Sequence, residues 1–271
     1  MTTTERAQPS PREETVDVWN GRLRLRVKVA GQGAPLLYLH GSTGLAWDPF
    51  LSRLAEQYTV YAPEFPGTSA GEPDAAHVID DLSDMVLVFE EASRSLGLSQ
   101  PVVVGHDFGG MLAAELAAHF PALPGKLVLI SPLGLWRDDL PVATLSAASQ
   151  TELPGLLFHD PSGDVAQAAL AFPEDPEAAV EAAAGMVWSL GSTGKYLWPI
   201  PDRGLRARLH RVAARTLIVW GREDRLAPAA YADEFAGLIR DSAVALIDDS
   251  GHLPQVEQFK QALTRIEEFL K

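Results

Sequence analysis

Residues 102–119 read Val102-Val103-Val104-Gly105-His106-Asp107-Phe108-Gly109-Gly110-Met111-Leu112-Ala113-Ala114-Glu115-Leu116-Ala117-Ala118-His119. Three β-branched residues predict a buried strand, and the Ala/Leu run after the glycines predicts a helix. Between them, Gly105-His106-Asp107-Phe108-Gly109 has the form G-x-nucleophile-x-G. Glycines on both sides allow a turn sharp enough to lift the Asp107 side chain above the sheet edge. Asp is also a good helix cap, but a cap alone needs no glycine on each side. The stretch therefore predicts a strand, a strained turn bearing a carboxylate, and a helix.

Working outward, the same alternation recurs. Val16–Trp19 and Leu23–Val29 alternate apolar and polar around Asn20-Gly21, a dipeptide suited to a hairpin turn. Leu36–Leu39 and Tyr58–Ala62 are short apolar runs; the first ends in His40-Gly41-Ser42-Thr43-Gly44, the second in a loop through Pro66, Gly67 and Gly71. His77–Leu96 carries apolar residues at helical spacing. Lys126–Ile130, Thr216–Trp220 and Ala243–Ile247 predict further buried strands, with helices near 228–239 and 255–270. Apolar strands alternating with helices predict an α/β protein with a mostly parallel sheet covered on both faces. Residues 133–205 break the pattern. They contain no clear strand, three of the six Trp, ten acids against three bases and a helical piece at Pro176–Leu190. A loop of that length without structure is implausible, so this stretch is expected to be a helical lid. The expected organisation is a loose tail over 1–14, a core over 15–132 and 206–271, and the lid over 133–205.

Composition narrows the partners. The 271 residues are 46% hydrophobic with a net charge of −14, which repels phosphate backbones and anionic lipid. Neither nucleic acid nor a membrane is expected as a partner. There are no cysteines, so disulfides, thiolate metal sites and cysteine nucleophiles are excluded together. No 18-residue apolar run occurs, and Met1–Glu14 has no apolar core, so a cytoplasmic protein is expected. The scattered histidines imply neither metal nor cofactor, and nothing indicates the oligomeric state.

With these motifs in place, the chain resembles the α/β-hydrolase superfamily, and the Asp at the elbow resembles its epoxide hydrolases and haloalkane dehalogenases. The resemblance covers roughly 20–132 and 206–271, and no motif assigns the lid. It implies Asp107 as nucleophile, Asp224 in Trp220-Gly221-Arg222-Glu223-Asp224 as the acid, and His252 in Asp248-Asp249-Ser250-Gly251-His252 as the base. Glu223 and Asp249 are neighbouring carboxylates, and some Asp-nucleophile relatives place the acid where Asp138 or Asp139 stands. His40-Gly41-Ser42 resembles the oxyanion loop, implying backbone N–H donors from Ser42 and Phe108. His40 and His106 are given no catalytic role.

The choice of Asp restricts the chemistry. Attack on an sp³ carbon forms an ordinary alkyl ester, which water activated by His252 then hydrolyses. Two substrates fit, an epoxide giving a diol or an alkyl halide. The Phe108 side chain has no N–H to hold a halide, so an epoxide is preferred. Its ring oxygen needs a proton donor, and Tyr196 is the one lid phenol. Trp136, Trp188 and Trp198 are expected to wall a pocket for a small apolar organic substrate. An esterase-like hydrolase with Asp in place of Ser, and a non-catalytic receptor, remain open.

Overall fold

The computed structural model describes residues 10–69 and 72–271. Its strands are β1 Arg12–Val18, β2 Leu23–Ala30, β3 Ala34–Leu39, β4 Tyr58–Pro63, β5 Val102–His106, β6 Lys126–Ile130, β7 Arg215–Gly221 and β8 Ser242–Ile247. They form one sheet in the order β1-β2-β4-β3-β5-β6-β7-β8. β1, β2 and β4 pair antiparallel, and every pairing from β4 to β8 is parallel. The helices are α1 Pro49–Leu54, α2 Leu82–Ser95, α3 Phe108–His119, α4 Leu153–Leu157, α5 Asp164–Leu170, α6 Pro176–Leu197, α7 Ala230–Leu238, α8 Pro254–Glu257 and α9 Phe259–Leu270.

The strand runs predict burial on both faces, and each face has its own core. Leu37, Leu39, Val103, Leu127 and Ile218 pack with residues of α2, α3 and α7. Leu36, Tyr38, Val104, Val128 and Val219 pack with residues of α1 and α9. The hairpin after β1 is wider than Asn20-Gly21 alone suggests. Trp19, Asn20 and Gly21 all have positive φ, and Val18 faces Leu23 across a four-residue turn. The helix expected from His77 starts later, because the Asp81 carboxylate caps it by accepting the Asp84 N–H at 3.0 Å.

The expected tail is too long. Residues 12–14 are already in the sheet, with Arg12 opposite Val29, because the β1 pairing continues past the apolar residues. Residues 1–9 and Gly71 lie outside the described residues. Between β6 and β7 no strand occurs among the described residues; α4, α5 and the 22-residue α6 fill the interval. The buried residues of α6 are Ser189, Ser192, Thr193 and Tyr196, while Val180, Val187 and Trp188 are exposed. Small polar side chains let α6 close onto glycine loops: Ser192 Oγ donates to Gly67 O at 3.1 Å, and a Cβ on Gly44 would meet Ser189 Oγ at 2.8 Å.

Candidate active site

The turn between β5 and α3 holds Asp107 at φ +55°, a left-handed conformation that a residue with a Cβ adopts only under constraint. The backbone supplies it. Asp107 N–H donates to Ile130 O, and its carbonyl receives the N–H groups of Met111 and Leu133, each at 3.1 Å. Neither flanking glycine tolerates a side chain. A Cβ on Gly105 would strike the Gly109 carbonyl, and one on Gly109 would strike the carbonyls of Leu39 and His40.

The Asp107 carboxylate is nearly inaccessible, at 2% exposure. Oδ2 accepts the Ser42 N–H at 2.6 Å. Among the described residues Oδ1 has no hydrogen-bond partner; it stands 3.4 Å from His252 Nε2, which has none among them either. On its other side His252 Nδ1 donates to Asp224 Oδ2 at 2.8 Å. Asp224 is fixed in turn by the N–H groups of Leu226 and Ala227 on Oδ1 and by the Trp220 indole on Oδ2, all at 2.9 Å. The structure thus brings together Asp107, His252, Asp224 and the Ser42 N–H. Phe108 contributes its ring, buried edge-on to Phe65 at 5.2 Å; no bond from its N–H to Asp107 occurs among the described residues. The other carboxylates lie elsewhere: Glu223 accepts the Ser250 N–H, Asp249 is exposed, Asp138 takes the Trp136 indole, and Asp139 pairs with Arg137.

The charges oppose burial and win. Desolvation alone would neutralise His252, but Asp224 and Asp107 hold its proton and raise its pKa to about 10. Burial likewise opposes charge on Asp107, yet His252 and the Ser42 N–H bring its carboxyl well below the usual range. The resting pair is a carboxylate beside an imidazolium. His40 and His106 behave oppositely, each brought by burial to about 4 and so neutral. His40 donates from Nδ1 to Gly41 O at 2.8 Å and accepts the Phe65 N–H at Nε2; His106 Nε2 donates to His252 O at 3.1 Å.

Two spaces flank the site. A tight one of about 30 Å³ is lined by Ser42, Thr144, Leu145, Thr193, Trp198 and Leu226, among others. A large cleft of about 800 Å³ meets the site at Gly41 and His106 and runs outward between Leu157–Phe158, α5, α6 and Leu253–Val256. A Cβ on Gly41 would lie 3.2 Å from Asp107 Oδ2, so the wall there is one glycine thick. Neither Asp107 nor His252 lines either space.

The expected pocket wall is corrected. Trp188 is 52% exposed because its neighbour Ser189 takes the inward face of α6. Trp136 donates its indole N–H to Asp138 and lines neither space, while the largely exposed Trp198 borders only the tight one. Tyr196, expected as the proton donor, also lines neither space. Its ring stacks on Phe108 at 5.7 Å, and burial, then Asp84, Asp81 and Asp80, push its phenol up. The phenol that does line the cleft is Tyr38, near the end of β3. Burial, then Asp48 and Asp107, push it up, so it stays protonated. Its signal in the sequence was position, at the carboxyl end of a parallel strand, where α/β sheets bind ligands. No cluster of three or more His, Asp or Glu able to hold a metal occurs among the described residues, and no helix among them is long and apolar enough to cross a membrane.

Residues 36–265 match the alpha/beta hydrolase family. The chain belongs to that family. It is an α/β-fold hydrolase, 30% identical over 247 residues to the dihydrolipoyllysine-residue acetyltransferase component of an acetoin cleaving system from Cupriavidus necator. That match covers 87% of this chain and 63% of the relative, so the hydrolase spans less than two thirds of it. It is 25% identical to the 2-hydroxy-6-oxo-6-phenylhexa-2,4-dienoate hydrolase of Burkholderia cepacia, over 86% of each chain. Among solved structures, the meta-cleavage product hydrolase CumD from Pseudomonas fluorescens IP01 superposes with a TM-score of 0.74 at 18% identity, covering 95% of this chain and 97% of its own. At that identity the likeness shows the fold alone.

Proposed function

We propose that this hydrolase opens an uncharged epoxide through a covalent alkyl ester on Asp107. The observation that carries the reading is the division of labour within one carboxylate. Oδ2 is held by the Ser42 N–H, while Oδ1 is ionised, unpartnered and beside His252. In the first step Oδ1 bonds to a ring carbon as the C–O bond breaks, and Tyr38 protonates the departing oxygen. The His252 imidazolium makes good that proton. Esterification removes one of the two anions holding the His252 proton, so His252 becomes neutral when a base is needed. It then takes a proton from water attacking the ester carbonyl, whose developing oxyanion lies at Ser42 N–H. Release of the diol restores carboxylate and imidazolium.

Two features support an uncharged epoxide over other substrates. The dienoate hydrolase acts on a carboxylate by name, whereas no Lys or Arg among the described residues lines either space here. A halide would need a side-chain donor beside the nucleophile, and the Phe108 ring offers none. A second reading is an ester or C–C hydrolase elbow bearing Asp in place of Ser, favoured by the dienoate hydrolase among the relatives.

Intact-mass measurement of His252→Ala, incubated with epoxides, haloalkanes and esters, tests the proposal. The expected result is a gain of the whole epoxide mass, mapped to the peptide containing Asp107. No epoxide adduct, together with ester hydrolysis appearing in Asp107→Ser, would transfer the assignment to the second reading.

A further inference from the structure

The large cleft is mostly hydrocarbon: Leu45, Leu157, Phe158, Leu170, Met186 and Leu253 give it its character. One group contradicts that character. Gln255, at the start of α8 and three residues beyond His252, lines the cleft, is 3% exposed, and its Oε1 has no hydrogen-bond partner among the described residues. It is the one side chain with a fully buried, unpartnered polar atom that borders the cleft among the described residues. A buried amide left unpaired is costly, and proteins keep such groups paired. Gln255 shares that lining with Leu253, Val256 and residues of α5 and α6.

The charge of the ligand follows from the rest of the lining. Of the ionisable groups lining the cleft, His40 and His106 are neutral, the Tyr38 phenol keeps its proton, and burial pushes the Asp48 carboxyl up. Nothing there balances an anion. We infer that Gln255 is a specificity residue, and that the cleft takes neutral, largely hydrocarbon molecules carrying one hydroxyl or amide group, which pairs with the Gln255 carboxamide. The inference rests on the proposed epoxide reading for the identity of the reacting group, but not for the recognition itself. A site built to pair with a polar group rejects an analogue lacking it more strongly than an apolar wall rejects an added methylene.

The test uses matched epoxides that differ at the far end: methyl, hydroxyl or carboxylate. Their diols serve as ligands that need no chemistry. Titration calorimetry gives the hydroxyl-to-methyl affinity ratio for the wild type and for Gln255→Met, which keeps the length of the side chain but removes the amide. Comparing the two ratios cancels the different hydration of the ligands. The expected result is a fall in the ratio of about 10-fold or more in Gln255→Met, from the loss of a buried pairing, with the methyl ligand bound at least as well as before. For the epoxides the change should appear in KM, with kcat nearly constant. The carboxylate ligand should bind weakest to the wild type. An unchanged ratio in both Gln255→Met and Gln255→Leu, or a carboxylate bound as tightly as the hydroxyl, overturns the inference. A ratio that shifts for the diols while none of the epoxides turns over leaves Gln255 as the recognition group and removes the epoxide reading instead.

Discussion

At the scale of single residues, the site depends on two carboxylates sharing one imidazole. Asp224→Asn keeps the shape, and its remaining oxygen can serve the Leu226 and Ala227 N–H groups, but it withdraws the charge that holds the His252 proton and orientation. Hydrolysis of the alkyl-enzyme should slow by about 100-fold or more while its formation persists, which quenched-flow measurement of adduct build-up resolves. Unchanged decay of the adduct would remove Asp224 from the mechanism. The phenols separate in the same way. Tyr38→Phe should cut ring opening by about 10²-fold, whereas Tyr196→Phe, stacked behind Phe108, should leave it nearly intact; the reverse order would restore Tyr196 as the acid. The histidines also set the dependence of stability on pH. His40 and His106 bind protons near pH 4 in the folded chain against 6.5 for the ordinary side chain, so acidification across that interval protonates only the unfolded chain and stability falls. His252 acts on the alkaline side: its contribution, complete below 6.5, is lost as pH rises through about 10. Thermal melts from pH 4 to 10 should therefore peak in between. His106→Gln, which can still donate to the His252 carbonyl, should flatten the acid limb, and an unaltered limb would show that His106 does not cause it.

At the scale of elements, what was legible in the sequence was what neighbouring residues decide. The Gly105–Gly109 turn, the loop that brings the Ser42 N–H to Asp107 and the loops presenting Asp224 and His252 each read from a few contiguous residues, as did the apolar strands. The strain at the elbow makes a direct prediction: Gly109→Ala should cost about 3 kcal/mol, the upper end for overpacking, because its Cβ would strike two backbone carbonyls. A urea midpoint close to wild type would mean that α3 can shift away from β3. The placements that sequence did not give depend on how elements dock. Strand alternation places Tyr38 on one face of β3, but only the loop folding over that face opens a cleft beside it. The phase of α6 is harder still. Its valines and Trp188 have the spacing of a buried stripe, yet the glycines at positions 44 and 67 accept Ser189 and Ser192 so closely that the opposite face is turned inward.

At the scale of the whole molecule, the two groups proposed to react are enclosed: His252 is 0% and Asp107 2% exposed, and neither lines the tight space or the large cleft. On the proposed function, substrate reaches them through a fluctuation of the stretch between β6 and β7. The polarity of α6 makes that helix the element to move, since hydroxyl groups and few apolar side chains hold its inner face. Lifting only the part of α6 up to residue 191 leaves Tyr196 stacked on Phe108 and, of the large apolar side chains packed on the rest of the protein, frees Met186 and Leu190, and a segment with few apolar contacts opens at far lower free energy than the core. Amide hydrogen exchange should report this directly. Amides of 180–191 should exchange through local opening, roughly 10³-fold faster than those of α3, whose protection should follow global unfolding. Equal protection of the two helices would rule out α6 as the gate. If α6 does open alone, the observed rate of substrate capture should stop rising with concentration and level off at the frequency with which this one helix lifts, so that the clock of the enzyme is a property of serines facing inward.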